Sequence, residues 1–515
     1  SCRQFDSVPG HSFMKDLNKK KLLNEALSYH KNGEIDSANK IYLKILEIDP
    51  DNFDANHLHA LVLSQQKNYI KSIDYFSKAY SQGPVTCELL NNFAIAYRNL
   101  NAYSECEKLL FEALVIDKKF INTYKNLSNC FLSQKKDNDA LEVLETAYNL
   151  GIDRTEFIYK IIEILFSKIG HKTDYEYRIK YEKYANELGK DNHHTNKALS
   201  GLCYLHLDKI ENSLKLFKES ELLVSSVLPN ITTLKELKNK EILLTMIKHE
   251  YEQITHIDSD IDGIRNVKIT QKFYDALKSL YDKKNTNFSD SEYEFISSLH
   301  KIRYNKAPKT RHNYLNKNLD IKLYENIYKE SDPQIVVIDD FLDEAYLYDL
   351  RKFFRCANIF KYPYPAGYIG AFLGKGMANK PFLELSKELK DYFPSIFNTF
   401  HLSQAWAFKY DSQQKGISIH ADDAKVNVNF WITDDSANLD EQTGGLIVWQ
   451  KKPSLDTKFS DFNSISSVPK MEEEVKNSDS IRIPYKANRA VVFNSKLYHA
   501  TDNINFKDDY INRRI

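Results

Sequence analysis

The sequence predicts an α+β multidomain protein in which an N-terminal α-solenoid is followed by a C-terminal β domain. Two observations lead to this prediction. The first half of the chain repeats a helical pattern with a fixed period, and from Gln334 the pattern changes to short β-branched and aromatic runs between turn residues. A length of 515 residues also suggests about three domains at ~150 residues each.

The repeat has a period of 34 residues. Five successive windows begin at Lys19, Phe53, Cys87, Ile121 and Thr155. In the first four windows the eighth and twentieth positions carry small residues, which are Ala26, Ala60, Ala94 and Ser128, and Ala38, Ser72, Cys106 and Ala140. Small residues at fixed places indicate pairs of helices that cross closely, and the fifth window has lost this pattern.

This period and residue layout resemble the tetratricopeptide repeat over roughly residues 19–225. A later unit has Gly201, Ser213, Phe217 and Ser220 at matching places. The resemblance implies a curved array in which each unit buries its apolar face only against its neighbours. Such arrays usually bind a peptide or a protein, so we predict a polypeptide partner on the solenoid. The alternative is an array that serves only as a scaffold or in dimerisation.

Changes in pattern divide the chain into four predicted segments. Residues 1–13 are predicted to be a tag or a disordered lead before a natural start at Met14, 14–230 the solenoid, 231–333 a helical extension with a basic linker, and 334–515 the β domain. The linker has no acidic residue but carries Lys301, Arg303, Lys306, Lys309, Arg311 and Lys317. An anionic ligand or simple solvation would each explain this charge.

The β domain is predicted from a series of short segments. The run QIVVIDDFL precedes a helical DEAYLYDLRKFF, and the later strands are predicted at SQAWAFKYD, GISIHAD, KVNVNFWIT, GGLIVWQ, SIRIPY, RAVVFNS and INRRI. Such a series favours a double-stranded β-helix, the two-sheet jelly roll, in which inward-facing side chains line a funnel.

The amino-acid composition limits which partners the protein can bind and which cellular compartment suits it. The 71 basic and 71 acidic residues give zero formal charge, which argues against a nucleic-acid or anionic-membrane partner. Six scattered cysteines without CxxC spacing argue against a zinc knuckle or a disulfide framework and favour a reducing compartment. No apolar stretch approaches the ~20 residues that span a bilayer, and no secretory signal is evident. We therefore predict a soluble, cytoplasmic protein.

A candidate metal-binding set lies in the β half. His420 and Asp422 are two residues apart in a strand-like run, so their side chains project to the same side. His499 ends another strand-like run. A His-x-Asp pattern alone occurs by chance about once in a chain of this kind, but two imidazoles and one carboxylate with open positions suit non-haem Fe(II).

With these residues the chain resembles the Fe(II)- and 2-oxoglutarate-dependent dioxygenases, and among them the prolyl-hydroxylase-like branch. The resemblance covers about residues 334–515 and is carried by HAD at 420–422, His499 and NRRI at 512–515, with NVNFWIT, NLDEQTGGLIVW, IPYKANRAVVFNS and YHATDNINF in support. It implies that His420, Asp422 and His499 bind iron. It also implies 2-oxoglutarate and O2 at the remaining iron positions, with ascorbate as a supporting reductant.

The resemblance further implies an arginine for the distal carboxylate of 2-oxoglutarate, since a guanidinium offers a paired donor fork. Arg513 and Arg514 face opposite ways, so only one of them can serve. The family's final strand favours Arg514, although this chain stops at Ile515, where that strand normally continues.

Four further residues are candidates for the same site. Tyr410 stands where prolyl hydroxylases carry a tyrosine that touches the 2-oxoglutarate carboxylate. Asn427, Asn429 and Trp431 alternate along KVNVNFWIT and so share one face. They either bind 2-oxoglutarate and support the metal ligands or simply fill the barrel.

The predicted function is hydroxylation of a protein or peptide side chain that the repeats hold. Halogenating relatives lack the carboxylate ligand, so the presence of Asp422 favours hydroxylation. Two alternatives stay open. One is a small-molecule hydroxylase whose repeats serve assembly, and the other is a non-catalytic repeat scaffold with a relic oxygenase domain.

Overall fold

The fold is given by a computed structural model. It describes residues 9–169, 174–259, 270–397, 399–411, 416–454, 457 and 459–515. The chain forms two compact units, Ser1–Lys168 and Ile169–Ile515.

In the part of the first unit that the structure describes, the regular secondary structure is helical throughout. They are α1 (Pro9–Lys31), α2 (Ile35–Ile48), α3 (Phe53–Gln65), α4 (Tyr69–Gln82), α5 (Cys87–Asn99), α6 (Tyr103–Ile116), α7 (Ile121–Ser133), α8 (Asp137–Asn149) and α9 (Arg154–Phe166). Residues 1–8 of the predicted lead lie outside the described residues, and residues 9–13 of that lead belong to α1.

The helices of this unit repeat with the predicted period. Helices α2, α4, α6 and α8 begin at Ile35, Tyr69, Tyr103 and Asp137, each 34 residues after the previous one. The small residues predicted at helix crossings are all buried, and these are Ala26, Ala60, Ala94, Ser128, Ala38, Ser72, Cys106 and Ala140. The prediction of a helical-repeat array of the tetratricopeptide type is therefore confirmed for this unit.

We expect Ala94→Leu to destabilise the repeats by about 1–3 kcal/mol, because three extra carbons have no room at a closely packed helix crossing. Ala94 is completely buried. Urea unfolding followed by far-UV circular dichroism measures the change. Lys108→Leu on the exposed side of α6 is the matched control, and it should change the free energy of unfolding by less than ~0.5 kcal/mol. Equal stability of the two variants would contradict the close crossing.

The second unit contains the other helices and all the strands of the described residues. The helices are α10 (Tyr175–Gly189), α11 (His194–His206), α12 (Ile210–Ser226), α13 (Ile231–Lys235), α14 (Glu241–Ser259), α15 (Gln271–Lys283), α16 (Asp290–Leu299), α17 (Ile321–Glu330), α18 (Glu344–Cys356), α19 (Lys380–Tyr392), α20 (Pro394–Phe397), α21 (Phe459–Phe462) and α22 (Val468–Val475). The strands are β1 (Ile335–Ile338), β2 (Tyr362–Tyr364), β3 (Tyr368–Phe372), β4 (Trp406–Tyr410), β5 (Val426–Phe430), β6 (Leu446–Trp449), β7 (Ser480–Ile483), β8 (Ala490–Asn494) and β9 (His499–Thr501).

Helices and strands of the second unit share one hydrophobic core. Phe217 of α12, Met246 of α14, Ile296 of α16, Ile338 of β1 and Ile369 of β3 belong to the same buried cluster. The unit boundary after residue 168 therefore differs from the boundaries predicted after 230 and 333. The later repeat-like pair α11–α12 lies in this second unit.

A buried polar network also joins α14 to the segment that leads into β2. The Lys361 ammonium forms a buried ion pair with Glu250 and donates to the Leu299 carbonyl at 2.8 Å. Burial lowers the pKa of Lys361 to about 8, although the Glu250 carboxylate opposes the shift. Asn358 donates to both carboxylate oxygens of Glu250, at 3.1 and 3.0 Å. These bonds satisfy charges that would be costly to bury alone.

The basic segment at 301–317 is packed against the second unit. The Arg303 guanidinium lies 4.5 Å from the centre of the Phe273 ring and donates to the Ser298 carbonyl at 2.6 Å. Arg311 forms an ion pair with Asp349. Tyr314, in the same segment, is buried in the shared core. Two of the six basic residues of the segment, Arg303 and Arg311, are thus used in contacts within the fold.

The strands form three antiparallel sheets of three strands each, in the orders β1-β8-β5, β2-β3-β4 and β7-β6-β9. Residues from all three sheets meet in one apolar cluster, which includes Ile335, Tyr410, Val448 and Phe493. Short antiparallel strands are thus observed, but their pairing does not establish the predicted two-sheet jelly roll.

Two predicted strands are irregular. GISIHAD contributes a single β-bridge at His420. INRRI begins with a helical turn, Tyr510–Asn512, that Asp509 caps by accepting a hydrogen bond from the Asn512 N–H at 3.0 Å. Neither segment forms a regular strand. The Asp509 cap turns the start of the second segment, and the first has backbone bonds to β9 only at Ile417 and His420. Among the described helices, none has the length and apolar character needed to cross a bilayer.

Candidate metal centre

His420, Asp422 and His499 meet in the second unit. One ligand atom of each residue lies within 4.8 Å of the other two. Nε2 of His499 is 3.5 Å from Oδ2 of Asp422, and Nε2 of His420 is 3.9 Å from Oδ1. Among the described residues, no other group of three histidine, cysteine or acidic side chains meets this spacing.

Backbone pairing brings the two histidines together. The His420 N–H donates to the His499 carbonyl at 3.0 Å, and the His499 N–H donates back to the His420 carbonyl at 2.8 Å. Strand β9, which begins at His499, is in turn paired with β6 through Val448. The Asp422 N–H donates to the Ser495 carbonyl at 2.9 Å. Residues distant in sequence are thus fixed by main-chain bonds.

Each imidazole has its tautomer set by a backbone carbonyl. Nδ1 of His420 is 2.9 Å from the Ser418 oxygen, and Nδ1 of His499 is 2.9 Å from the Leu497 oxygen. A carbonyl can only accept, so Nδ1 carries a hydrogen in both rings and Nε2 is the nitrogen that faces Asp422. Metal-binding histidines are usually oriented in this way.

Two amides hold the Asp422 carboxylate. Nδ2 of Asn427 donates to Oδ2 at 2.6 Å, and Nδ2 of Asn463 donates to Oδ1 at 3.3 Å. Burial alone would raise the pKa of Asp422, but the hydrogen bond and charge of His499 and the bond from Asn427 lower it to about 2. Desolvation and the neighbouring His499 lower the pKa of His420 to about 4.

At neutral pH the centre therefore presents an ionised Asp422 and a neutral His420, which are the protonation states that metal ligands need. Two imidazole nitrogens and a carboxylate oxygen fit a divalent transition-metal ion such as Fe(II).

Arg514 is a buried cation, only 4% exposed. Its Nε donates to the Gly444 carbonyl at 2.6 Å, and Nη2 donates to the Gly445 carbonyl at 3.3 Å. The guanidinium carbon lies 4.8, 5.6 and 6.0 Å from the ring centres of Tyr410, Trp431 and Tyr485. Among the described residues, no carboxylate lies within ion-pair distance of it, so an anion would complement this charge.

Arg513 has a different environment. Its Nη2 lies 2.5 Å from Glu252 and 2.6 Å from Asp411. The two adjacent arginines therefore point to different surroundings. Arg513 is neutralised by carboxylates of the protein, which leaves Arg514 as the arginine with unsatisfied charge.

Tyr410 lies beside Arg514. Burial raises the pKa of Tyr410, while the charge of Arg514 and hydrogen bonds to Thr501 and Arg514 act in the opposite direction. Thr501 is two residues after His499 in β9. The ring of His499 also lies 5.0 Å from that of Phe493, which shares its apolar cluster with Tyr410. The three metal-ligand candidates and Arg514 thus border the same interior.

The three candidate residues in and directly after β5 make different contacts. Asn427 and Asn429 are paired with Phe493 and Val491, two members of the interior cluster, so both asparagines face that interior. Asn427 binds Asp422. Trp431 is buried, and its ring lies near Arg514.

Sequence reasoning missed several contacts of the site. Asn463 and Thr501 belong to no recognisable pattern. Gly444 and Gly445 were available as a signal, because two adjacent glycines open the predicted strand GGLIVWQ. Gly444 has φ +83°, and a Cβ on Gly445 would approach the Ile483 carbonyl to 1.9 Å. Only glycine allows the chain to present both carbonyls to Arg514.

Comparisons with known proteins give limited information. No family model matches the sequence, and no curated protein matches it. Similar solved structures include Pseudomonas aeruginosa PilF, at 19% identity over 41% of this chain and 94% of that chain, with a TM-score of 0.31. YrrB, a tetratricopeptide protein with an unusual peptide-binding site, has 16% identity, 42% and 93% coverage and a TM-score of 0.25.

A third similar structure is the first tetratricopeptide domain of Spaghetti bound to an HSP90 peptide. It has 17% identity, covers 23% of this chain and 93% of that chain, and has a TM-score of 0.22. Such weak similarities carry no argument about this chain. The N-terminal unit is a tetratricopeptide-like array because its own helices repeat every 34 residues.

Proposed function

We propose that the chain is an Fe(II)- and 2-oxoglutarate-dependent dioxygenase that hydroxylates a side chain of a protein or peptide. The observation that carries the proposal is the combination of His420, Asp422 and His499 with a buried, carboxylate-free Arg514 on one interior. The two histidines and the aspartate fit a metal ion, and Arg514 fits a carboxylate of a dicarboxylate co-substrate. A jelly-roll arrangement of the three sheets is part of this proposal.

In the proposed site, His420, Asp422 and His499 hold iron through Nε2 and carboxylate oxygen. Arg514 binds the distal carboxylate of 2-oxoglutarate, and the Tyr410 hydroxyl supports it. When bound, iron and 2-oxoglutarate supply the oxidation of an unactivated C–H bond by O2, with succinate and CO2 as products. The protein residues orient these groups and limit access of water.

An aromatic sheet face supports a substrate-binding surface beside this site. On β2, β3 and β4 the same face carries Tyr362, Tyr364, Tyr368, Phe372, Trp406, Phe408 and Tyr410. The opposite face packs its Ile369 and Ala371 into the shared core. Gly370 leaves room for the Phe408 ring, which a Cβ would approach to 3.0 Å.

This face is continuous and mostly half-buried. Ring centres are 6.2 Å apart for Phe372 and Phe408, 5.3 Å for Phe408 and Tyr368, and 5.3 Å for Tyr368 and Tyr410. Trp406 is 36% exposed at the outer end. A substrate segment lying on these rings would reach Tyr410 and the proposed cofactor site. Aromatic surfaces with tyrosine hydroxyls suit uncharged parts of a polypeptide.

The test is a 2-oxoglutarate turnover assay. We expect the Fe(II)-loaded protein to form succinate slowly without substrate, and to show a weak visible charge-transfer band on anaerobic titration with 2-oxoglutarate. Absence of both signals, with intact helical circular dichroism, would reject the oxygenase and favour a non-catalytic repeat scaffold. Turnover that small molecules stimulate and peptides do not would favour the small-molecule alternative.

A further inference from the structure

The connection between β6 and β7 is unusually long for neighbouring antiparallel strands. β6 ends at Trp449 and β7 begins at Ser480, whereas hairpin loops usually contain about two to five residues. Residues 459–475 of this connection carry helices α21 and α22. We call residues 459–475 the β6–β7 insertion.

The β6–β7 insertion has an apolar core built against the metal-ligand segments. Its Phe462, Met471 and Val475 form one buried cluster with Ile419, Ala421, Tyr498 and Ala500. The last four residues directly flank His420 and His499 in the sequence. Because neighbouring residues of an extended chain point to opposite sides, the insertion covers the side away from the imidazoles.

Polar bonds connect the same segments. The Ala421 N–H donates to the Phe462 carbonyl at 3.0 Å. Nδ2 of Asn463 donates to the Ala421 carbonyl at 2.7 Å and to Oδ1 of Asp422 at 3.3 Å. The Tyr498 hydroxyl donates to Glu474 at 2.7 Å. The insertion is therefore bonded to the chain on both sides of the metal-ligand candidates.

Asn463 and Asn427 together hold both oxygens of Asp422. Asn427 binds Oδ2 from strand β5, and Asn463 binds Oδ1 from the insertion. A carboxylate bonded through both oxygens cannot rotate freely about its Cβ–Cγ bond, so its orientation toward the imidazoles is fixed before metal binds.

We propose that the β6–β7 insertion is a clamp that preorganises the metal centre, with Asn463 as its positioning residue. The inference rests on the proposed metal-binding function. The insertion supplies no metal ligand itself. Its apolar residues pack against the segments around His420 and His499, and the Asn463 amide holds the Asp422 carboxylate. Ordering these residues costs conformational entropy, which the buried cluster and the bonds to the ligand segments offset.

The test compares Asn463→Ala with Asn477→Ala in the full chain, using Co(II) as the probe. Asn477 is an exposed asparagine of the same connection, so it controls for the substitution itself. We expect Asn463→Ala to weaken Co(II) affinity about 10- to 100-fold, as loss of a hydrogen bond to a metal ligand usually does, and to change the visible Co(II) spectrum. Asn477→Ala should match the unsubstituted chain.

Amide exchange of metal-free protein gives a second readout. Residues 417–423 should exchange faster in Asn463→Ala than in Asn477→Ala, while unfolding midpoints stay similar. Asn463→Gln should retain part of the Co(II) affinity that Asn463→Ala loses, because it keeps the amide donor.

The outcomes separate the clamp from the proposed reaction. Unchanged Co(II) affinity, spectrum and exchange in Asn463→Ala would overturn the clamp, whatever the turnover. Co(II) binding that depends on Asn463 without any succinate formation would reject the oxygenase reaction and support the clamp. Absence of Co(II) binding in the unsubstituted chain would overturn both.

Discussion

Asp422→Ala should abolish iron binding and, with it, the charge-transfer band that 2-oxoglutarate produces. The variant removes the only carboxylate of the three-residue set, and the two imidazoles that are left lack the negative charge that holds a divalent cation. We expect the loss of affinity to exceed the ~10- to 100-fold that follows from losing an outer hydrogen-bond partner. Anaerobic titration with Fe(II) and then with 2-oxoglutarate measures both effects.

Asp423→Ala is the matched control, because Asp423 is the adjacent carboxylate, is exposed and pairs with Lys496. It should leave the band and the iron affinity unchanged. A band that survives in Asp422→Ala, or disappears in Asp423→Ala, would show that the ligand set has been assigned incorrectly.

Arg514→Met should weaken 2-oxoglutarate binding roughly 30- to 150-fold while iron still binds. A hydrogen bond to a charged group contributes about 2–3 kcal/mol, and each 1.4 kcal/mol changes affinity tenfold. Methionine keeps apolar contact with the aromatic rings around Arg514. The charge-transfer band, followed against 2-oxoglutarate concentration, gives the affinity directly.

Arg513→Met should lower the stability of the protein and leave the binding of 2-oxoglutarate nearly unchanged. It leaves Glu252 and Asp411 with Lys248 as their remaining shared cation, at 4.0 and 3.3 Å, so we expect a lower unfolding midpoint and little change in 2-oxoglutarate affinity. If Arg513→Met weakened 2-oxoglutarate binding and Arg514→Met did not, the co-substrate arginine would have to be reassigned.

The helical repeats could be predicted because their signal is local and occurs several times. Each close crossing needs a small residue, such as Ala60 or Ala94, and the spacing of these residues sets the spacing of the helices. The boundary between units could not be predicted in this way. The position of the boundary depends on whether α11–α16 pack their apolar residues against one another or against strands. Both arrangements give the same helical periodicity in the sequence.

The candidate site could be predicted only in part. His420, Asp422 and His499 stand at strand-like ends, and the structure brings them together. Strands β2 and β3 were missed because YPYPAGYIGAF contains prolines and glycines that read as turns. Asn463 was missed because it lies 41 residues from Asp422 in an irregular segment, and no local pattern encodes such a contact.

The hydrophobic core shared by α14, α16 and the strands has a practical consequence for isolating the part of the chain that carries the proposed iron site. A recombinant fragment starting near Gln334 would lose Glu250, the counter-ion of Lys361, and would expose Ile338 and Ile369 to water. It should aggregate during expression. A soluble fragment has to start near Ile169, where the second compact unit begins.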